Sequence, residues 1–259
     1  MKNISRKLTR LGAGVALVGG LMYVATPTLA NGPLLGQLEC PAEPVKIVVL
    51  GDSLADGLWG SFYRAFTECR GVDVMRKTTI SDGLTRTDPE EWLDRIGPEG
   101  ALADLFVVQI GANDIQNIRE GTSRAVFGSP EWDSAYLARA QTLAEGLVEG
   151  GGQVVWMGLP IVGQERFEDS YRAITALQAE AAERPGIRFV DTHEPTTFGL
   201  GEFVMSAVID GSVRLLRNTD QVHFTVIGYD VVAGLLYSDV EKLFHQAGRA
   251  AAIDALTLQ

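Results

Sequence analysis

Histidine and cysteine are scarce in this chain, at three and two of 259 residues. His193, His223 and His245, with Cys40 and Cys69, form no cluster at metal-ligand spacing, so no metal site is expected. The motifs CxxC, HExxH, GxxxxGK(S/T) and GxGxxG are all missing. Their absence argues against thiol redox, zinc protease, P-loop and dinucleotide chemistry, and no cofactor is expected. GxSxG is missing too, which argues against the strained nucleophile elbow of α/β-hydrolases. Positive charge is in short supply, with 22 Lys and Arg against 33 Asp and Glu and a net charge of −11. No basic cluster compensates, so nucleic acid and anionic membrane surfaces are disfavoured as partners. No Gly/Pro/Ser-rich linker, low-complexity tract or internal repeat divides the chain.

The amino terminus has the composition of a leader. Lys2, Arg6, Lys7 and Arg10 precede an apolar stretch from Leu11 to Ala25, and Thr28-Leu29-Ala30 supplies small residues for cleavage. This predicts a secretory signal peptide over residues 1–30 and a periplasmic or secreted product. An uncleaved anchor is the competing reading, because residues 11–30 carry no charge. Four glycines and Pro27 make that stretch a poor spanning helix, so no stable membrane insertion is expected after cleavage. No adjacent arginine pair suggests the twin-arginine route, and Cys40 follows Glu39, unlike a lipid-attachment cysteine. Removing thirty residues from 259 leaves 229, and residues 31–259 are expected to form a single domain. Cleavage removes four basic residues and no acidic one, moving the net charge from −11 to −15. Export permits a Cys40–Cys69 disulfide pinning the N-terminal segment to the first helix; two buried free thiols are the alternative.

Beyond the leader, strands and helices alternate. Apolar β-branched runs predict strands over Val45–Leu50, Val72–Met75, Leu105–Ile110, Val154–Met157 and Ile187–Val190. Helical spacing marks 61–70, a stretch opened by Asp88-Pro89 with Glu91 as a capping-box acid, one opened by Ser129-Pro130, 169–182, and 226–246. A short extra strand is expected at Val213–Leu216. Strand–helix alternation of this kind predicts an α/β fold: a five-stranded parallel sheet in a three-layer α/β/α sandwich, with flavodoxin-like strand order.

The polar loops follow from that arrangement. GDSL with Ser53 follows the first strand, SDGL with Gly83 the second, and GAND with Asn113 the third, each about one βα repeat from the last. Loops at the carboxyl ends of parallel strands share one crevice. A serine nucleophile there needs an imidazole to take its proton and an acid to fix the tautomer. His223 in Asp220-Gln221-Val222-His223, just before the last helix, offers both at a three-residue offset. An Asp and a His in a solvated turn is the other reading of that segment. His193 reads as a loop residue within reach of a ligand or simply in solvent, and His245 as surface.

In this order and at this spacing, the four blocks resemble the SGNH/GDSL hydrolase family along essentially the whole mature chain. The longer stretches LGDSLADGLWG, GSPEW and VHFTVIGYD resemble an uncharacterised periplasmic branch of it. The resemblance implies Ser53 as nucleophile, His223 as general base and Asp220 as its orienting acid. It further implies an oxyanion hole built from the N–H of Ser53, the N–H of Gly83 and the side chain of Asn113. Gly71 and Gly97 are the alternatives to Gly83. Asp52 and Asp114 read as loop-shaping residues.

The expected activity is a secreted serine esterase forming an acyl-serine, acting on a small-molecule ester or an acylated envelope glycan. An acyltransferase using the same triad and a non-catalytic glycan-binding protein are the alternatives. Trp59 reads either as a sugar-stacking ring or as packing for the first helix.

Overall fold

In the computed structural model, residues 32–257 are described, so the expected signal peptide lies outside the described residues. Val45–Gly51 (β1) and Leu105–Gln109 (β3) form the centre of the sheet, and every residue of β3 is buried. Val72–Thr78 (β2) flanks β1, while Gln153–Met157 (β6) and Ile187–Val190 (β7) continue beyond β3. The order β2-β1-β3-β6-β7 is parallel throughout, the predicted flavodoxin-like arrangement.

Period-two alternation builds the two cores. Ile47 and Val49 of β1, with Leu105 and Val107 of β3, face α1 (Ser53–Phe66), α5 (Val226–Ala233) and α6 (Tyr237–Thr257). Val48, Leu50, Phe106 and Val108 face α2 (Pro89–Gly100), α3 (Pro130–Glu149) and α4 (Glu165–Ala181). The result is the expected three-layer sandwich, with the loops after β1, β2 and β3 on one edge. No helix among the described residues is long and apolar enough to cross a membrane. Cys40 and Cys69 are bridged, with Cα atoms 5.3 Å apart, joining the segment before β1 to the turn after α1. That places the bridge toward the amino ends of the strands, away from these loops.

Several local expectations are corrected. The first helix starts at Ser53, eight residues before the apolar spacing predicts, because Asp52 caps it and accepts the N–H of Leu54. Its early turns carry glycine where a side chain would collide: a Cβ on Gly57 would lie 2.0 Å from the Tyr229 ring. No capping box forms at α2, since Asp88 pairs with Arg139 and Glu91 with Arg95. The last helix is broken into α5, a 3-10 turn at Gly234–Leu236, and α6. Gly234 stands at the break, and a Cβ there would lie 2.5 Å from the carbonyl oxygen of Pro33. Two hairpins complete the fold: β4 (Ile118–Glu120) with β5 (Ser123–Ala125), and β8 (Ser206–Ile209) with β9 (Ser212–Leu215). The second contains most of the predicted extra strand.

Candidate active site

Gly51 ends β1 at φ 138°, and a Cβ there would lie 1.9 Å from the carbonyl oxygen of Gln109. Only glycine turns the chain so close to β3. Asp52 follows, fully buried, and its carboxylate accepts three backbone N–H groups. Leu54 donates to Oδ1 at 2.8 Å, while Gly111 and Ala112 donate to Oδ2 at 2.9 and 2.8 Å. The turn that presents Ser53 is thereby fastened to the loop that presents Asn113. Burial outweighs these hydrogen bonds and pushes the Asp52 carboxyl up to about 7.

Asp114 does the equivalent work between the second and third loops. It accepts the N–H groups of Leu84 and Thr85 at 3.1 and 3.0 Å, and the hydroxyls of Thr85 and Tyr136 at 2.8 and 3.0 Å. Burial is again the largest influence and raises its carboxyl above the ordinary range. A Cβ on Gly83 would lie 2.1 Å from Asp114 Oδ1, so the loops close only around glycine. Gln178 completes the frame by donating to the carbonyl of Ile110 at 2.7 Å and to Tyr136 at 3.0 Å. Asp52 and Asp114 are therefore loop-shaping residues, as their places in the sequence suggest.

Residues 217–224 supply the remaining groups. Asp220 Oδ1 accepts the N–H groups of Val222 and His223, both at 3.0 Å. Asp220 Oδ2 lies 2.6 Å from His223 Nδ1, and His223 Nε2 lies 2.7 Å from Ser53 Oγ. Partial burial opposes the charge on Asp220, but the two N–H groups and the imidazole outweigh it and hold the carboxyl below its usual range. The side chains of Asp220 and His223 are 47 % and 31 % exposed, leaving the site open to solvent. The structure thus brings Ser53, His223 and Asp220 into one continuous chain of contacts.

Gly83 and Asn113 both engage Asp82. The N–H of Gly83 donates to Asp82 Oδ1 at 2.8 Å, and Asn113 Nδ2 donates to the Asp82 carbonyl at 3.0 Å. Asn113 has a second amide hydrogen to offer, whereas an oxyanion at Gly83 would have to share or displace the carboxylate. Partial burial opposes ionisation of Asp82, yet Arg95, Gly83 and Thr87 together keep its carboxyl below the ordinary range. Of the alternatives, Gly71 accepts from Val45 at the amino end of the sheet and Gly97 lies within α2. Only Gly83 sits on the loop edge.

The other candidates stand apart. His193 is largely buried rather than solvated, its Nε2 held by Glu168. His245 is exposed. Trp59 donates to the carbonyl of Val74 at 3.2 Å and stacks on Tyr63, with Arg76 5.0 Å from its ring centre; it packs α1 against β2. No group of three or more potential metal ligands occurs among the described residues. Sequence reasoning missed Gln178, Tyr136 and Arg217. None of the three carried a distinguishing signal; Arg217 shares its stretch with Arg214 and Asp220.

The family described as a protein of unknown function (DUF459) matches residues 46–239. No curated protein matches the chain in sequence. Among solved structures, a carbohydrate esterase family 3 protein from Talaromyces cellulolyticus is 12% identical with TM-score 0.52, over 78% of this chain and 99% of its own. LAE5, an alpha/beta hydrolase enzyme from the metagenome of Lake Arreo, Spain, is 16% identical with TM-score 0.53, over 77% and 97%. A GDSL-like lipase from Bacteroides thetaiotaomicron is 19% identical with TM-score 0.49, over 78% and 92%. For the first two, at such identities, the likeness is one of fold.

Proposed function

We propose, for a chain that belongs to the SGNH-hydrolase-like DUF459 family, that it is a serine esterase working through an acyl-serine. The contact that carries this reading is His223 Nε2 to Ser53 Oγ at 2.7 Å, with Asp220 2.6 Å behind the imidazole. Ser53 Oγ attacks the ester carbonyl as His223 Nε2 accepts its proton. The tetrahedral intermediate collapses, and the departing alcohol takes that proton from His223. Water then attacks the acyl-serine, giving a proton to His223; collapse releases the carboxylic acid and returns the proton to Ser53. Asp220 keeps Nδ1 protonated and steadies the imidazolium in both halves.

Charge on the oxyanion is met by the N–H of Ser53, which as the first residue of α1 has no intrahelical acceptor, and by the free hydrogen of Asn113 Nδ2. The N–H of Gly83 joins them on exchange from Asp82. The half-exposed triad favours a bulky alcohol portion, as in an acylated envelope glycan, over a substrate that must be engulfed. Secretion into the periplasm or beyond is part of the reading. It is supported by the leader-like composition of residues 1–30 and by the Cys40–Cys69 bridge, which persists in oxidising compartments.

The test is hydrolysis of a p-nitrophenyl ester series beside Ser53→Ala. Turnover that disappears in the variant is expected. Equal background rates for both proteins would reject ester hydrolysis, and acyl transfer to a sugar acceptor without release of acid would replace it by a transferase.

A further inference from the structure

Ser53, Gly83 and Asn113 ride on loops that continue directly from sheet strands. Asp220 and His223 do not. Their segment follows the β8–β9 hairpin, which pairs with no strand of the main sheet. Something must hold the base in register with the nucleophile.

Arg217 lies where such a fastening is needed. Its side chain is completely buried, and no carboxylate among the described residues forms an ion pair with it. Nη1 donates to the carbonyl of Val222 at 2.9 Å. The guanidinium lies 3.7 Å from the ring centre of Phe224, with Phe203 at 5.3 Å. One group therefore grips both chain neighbours of His223. Nη2 donates to the carbonyls of Ile161 at 2.8 Å and Thr196 at 3.4 Å, in the segments following β6 and β7. The backbone of Arg217 closes the same loop through an antiparallel bridge to Phe224, and the N–H of Asn218 donates to the His223 carbonyl at 2.8 Å.

Burying a charge without an ionic partner is costly, and burial does pull the Arg217 guanidinium down to about 9. A structural role alone could be met by apolar packing. Three carbonyls from three separate segments plus a ring face call for a planar fork of donors, which lysine cannot supply.

We infer that Arg217 is a positioning residue, tying the Asp220–His223 loop to the sheet edge and setting the imidazole against Ser53. The inference rests on the acyl-serine reading of the site. It is tested with Arg217→Lys and Arg217→Met on the full chain, each checked for cooperative urea unfolding. Two readouts follow: the rate at which a fluorophosphonate labels Ser53, and the low-field proton resonance of His223 Nδ1–H. Folded variants are expected to lose that resonance and to label at least about tenfold more slowly, because small misplacements of a reacting group are expensive. On an ester substrate the loss should fall in kcat, with KM changed less than about twofold. Arg217→Lys decides the matter if Arg217→Met does not fold. Labelling and resonance equal to wild type in a folded variant would overturn the inference alone. A wild type that is not labelled at all would overturn the acyl-serine reading and this inference with it.

Discussion

The carboxylate of Asp52 accepts the N–H of Ala112 at 2.8 Å, joining residues sixty positions apart. This contact ties the turn carrying Ser53 to the loop carrying Asn113. Two carboxylates flanking the reactive loops are thus spent on backbone N–H groups, leaving Asp220 as the acid that serves the histidine.

Asp52→Asn should cost about 1–3 kcal/mol, because an amide NH₂ would face at least one of the buried N–H donors. The pH dependence is a sharper check. With its carboxyl raised to about 7 by burial, the folded chain holds this proton more tightly than the unfolded one. The contribution of Asp52 to stability therefore falls as pH rises from the ordinary carboxylate range through about 7, and is level above that. Urea unfolding of both proteins should show a stability difference that shrinks with pH over this range. A difference independent of pH would contradict it.

Asn113→Ala should lower kcat by on the order of 10²–10³, with KM little changed, if its amide meets the oxyanion. Steady-state kinetics on an activated ester measures this. A pure rise in KM would assign Asn113 to ground-state binding.

Asp220→Asn should keep the N–H contacts of Val222 and His223 while removing the partner that fixes the imidazole tautomer. A fall in kcat of at least about 10² is expected, with unfolding close to that of wild type. Unchanged kcat would leave His223 acting without it.

Reducing the Cys40–Cys69 bridge opens a loop whose ends are 29 residues apart. Chain entropy puts the loss at about 3–4 kcal/mol. Because the bridge lies toward the opposite end of the sheet from Ser53, urea titration should shift markedly while turnover at 25 °C stays near that of the oxidised protein.

Much of this architecture is legible in the residues. Apolar β-branched runs locate all five sheet strands, three of them closed by glycine, and the spacing of Ser53, Gly83 and Asn113 foretells a shared edge. Contacts that depend on distant partners escape such reading. The start of α1 is hidden because Gly57, a weak helix former, stands in its early turns to admit Tyr229. The helix break at Gly234 answers to Pro33, some two hundred residues earlier in the chain. His193 looks solvated until α4 brings Glu168 against it. Arg217 stands beside Arg214 in a short basic and polar stretch, and only the folded chain shows three carbonyls and two rings converging on it.

The central claim is that Ser53 is a nucleophile activated by His223. Incubating the protein with a fluorophosphonate and mapping the adduct by peptide mass spectrometry tests it most directly. The account predicts one phosphonyl group per chain, carried by Ser53 and lost in both Ser53→Ala and His223→Ala at neutral pH. No adduct, or one on another residue that persists in Ser53→Ala, would contradict it.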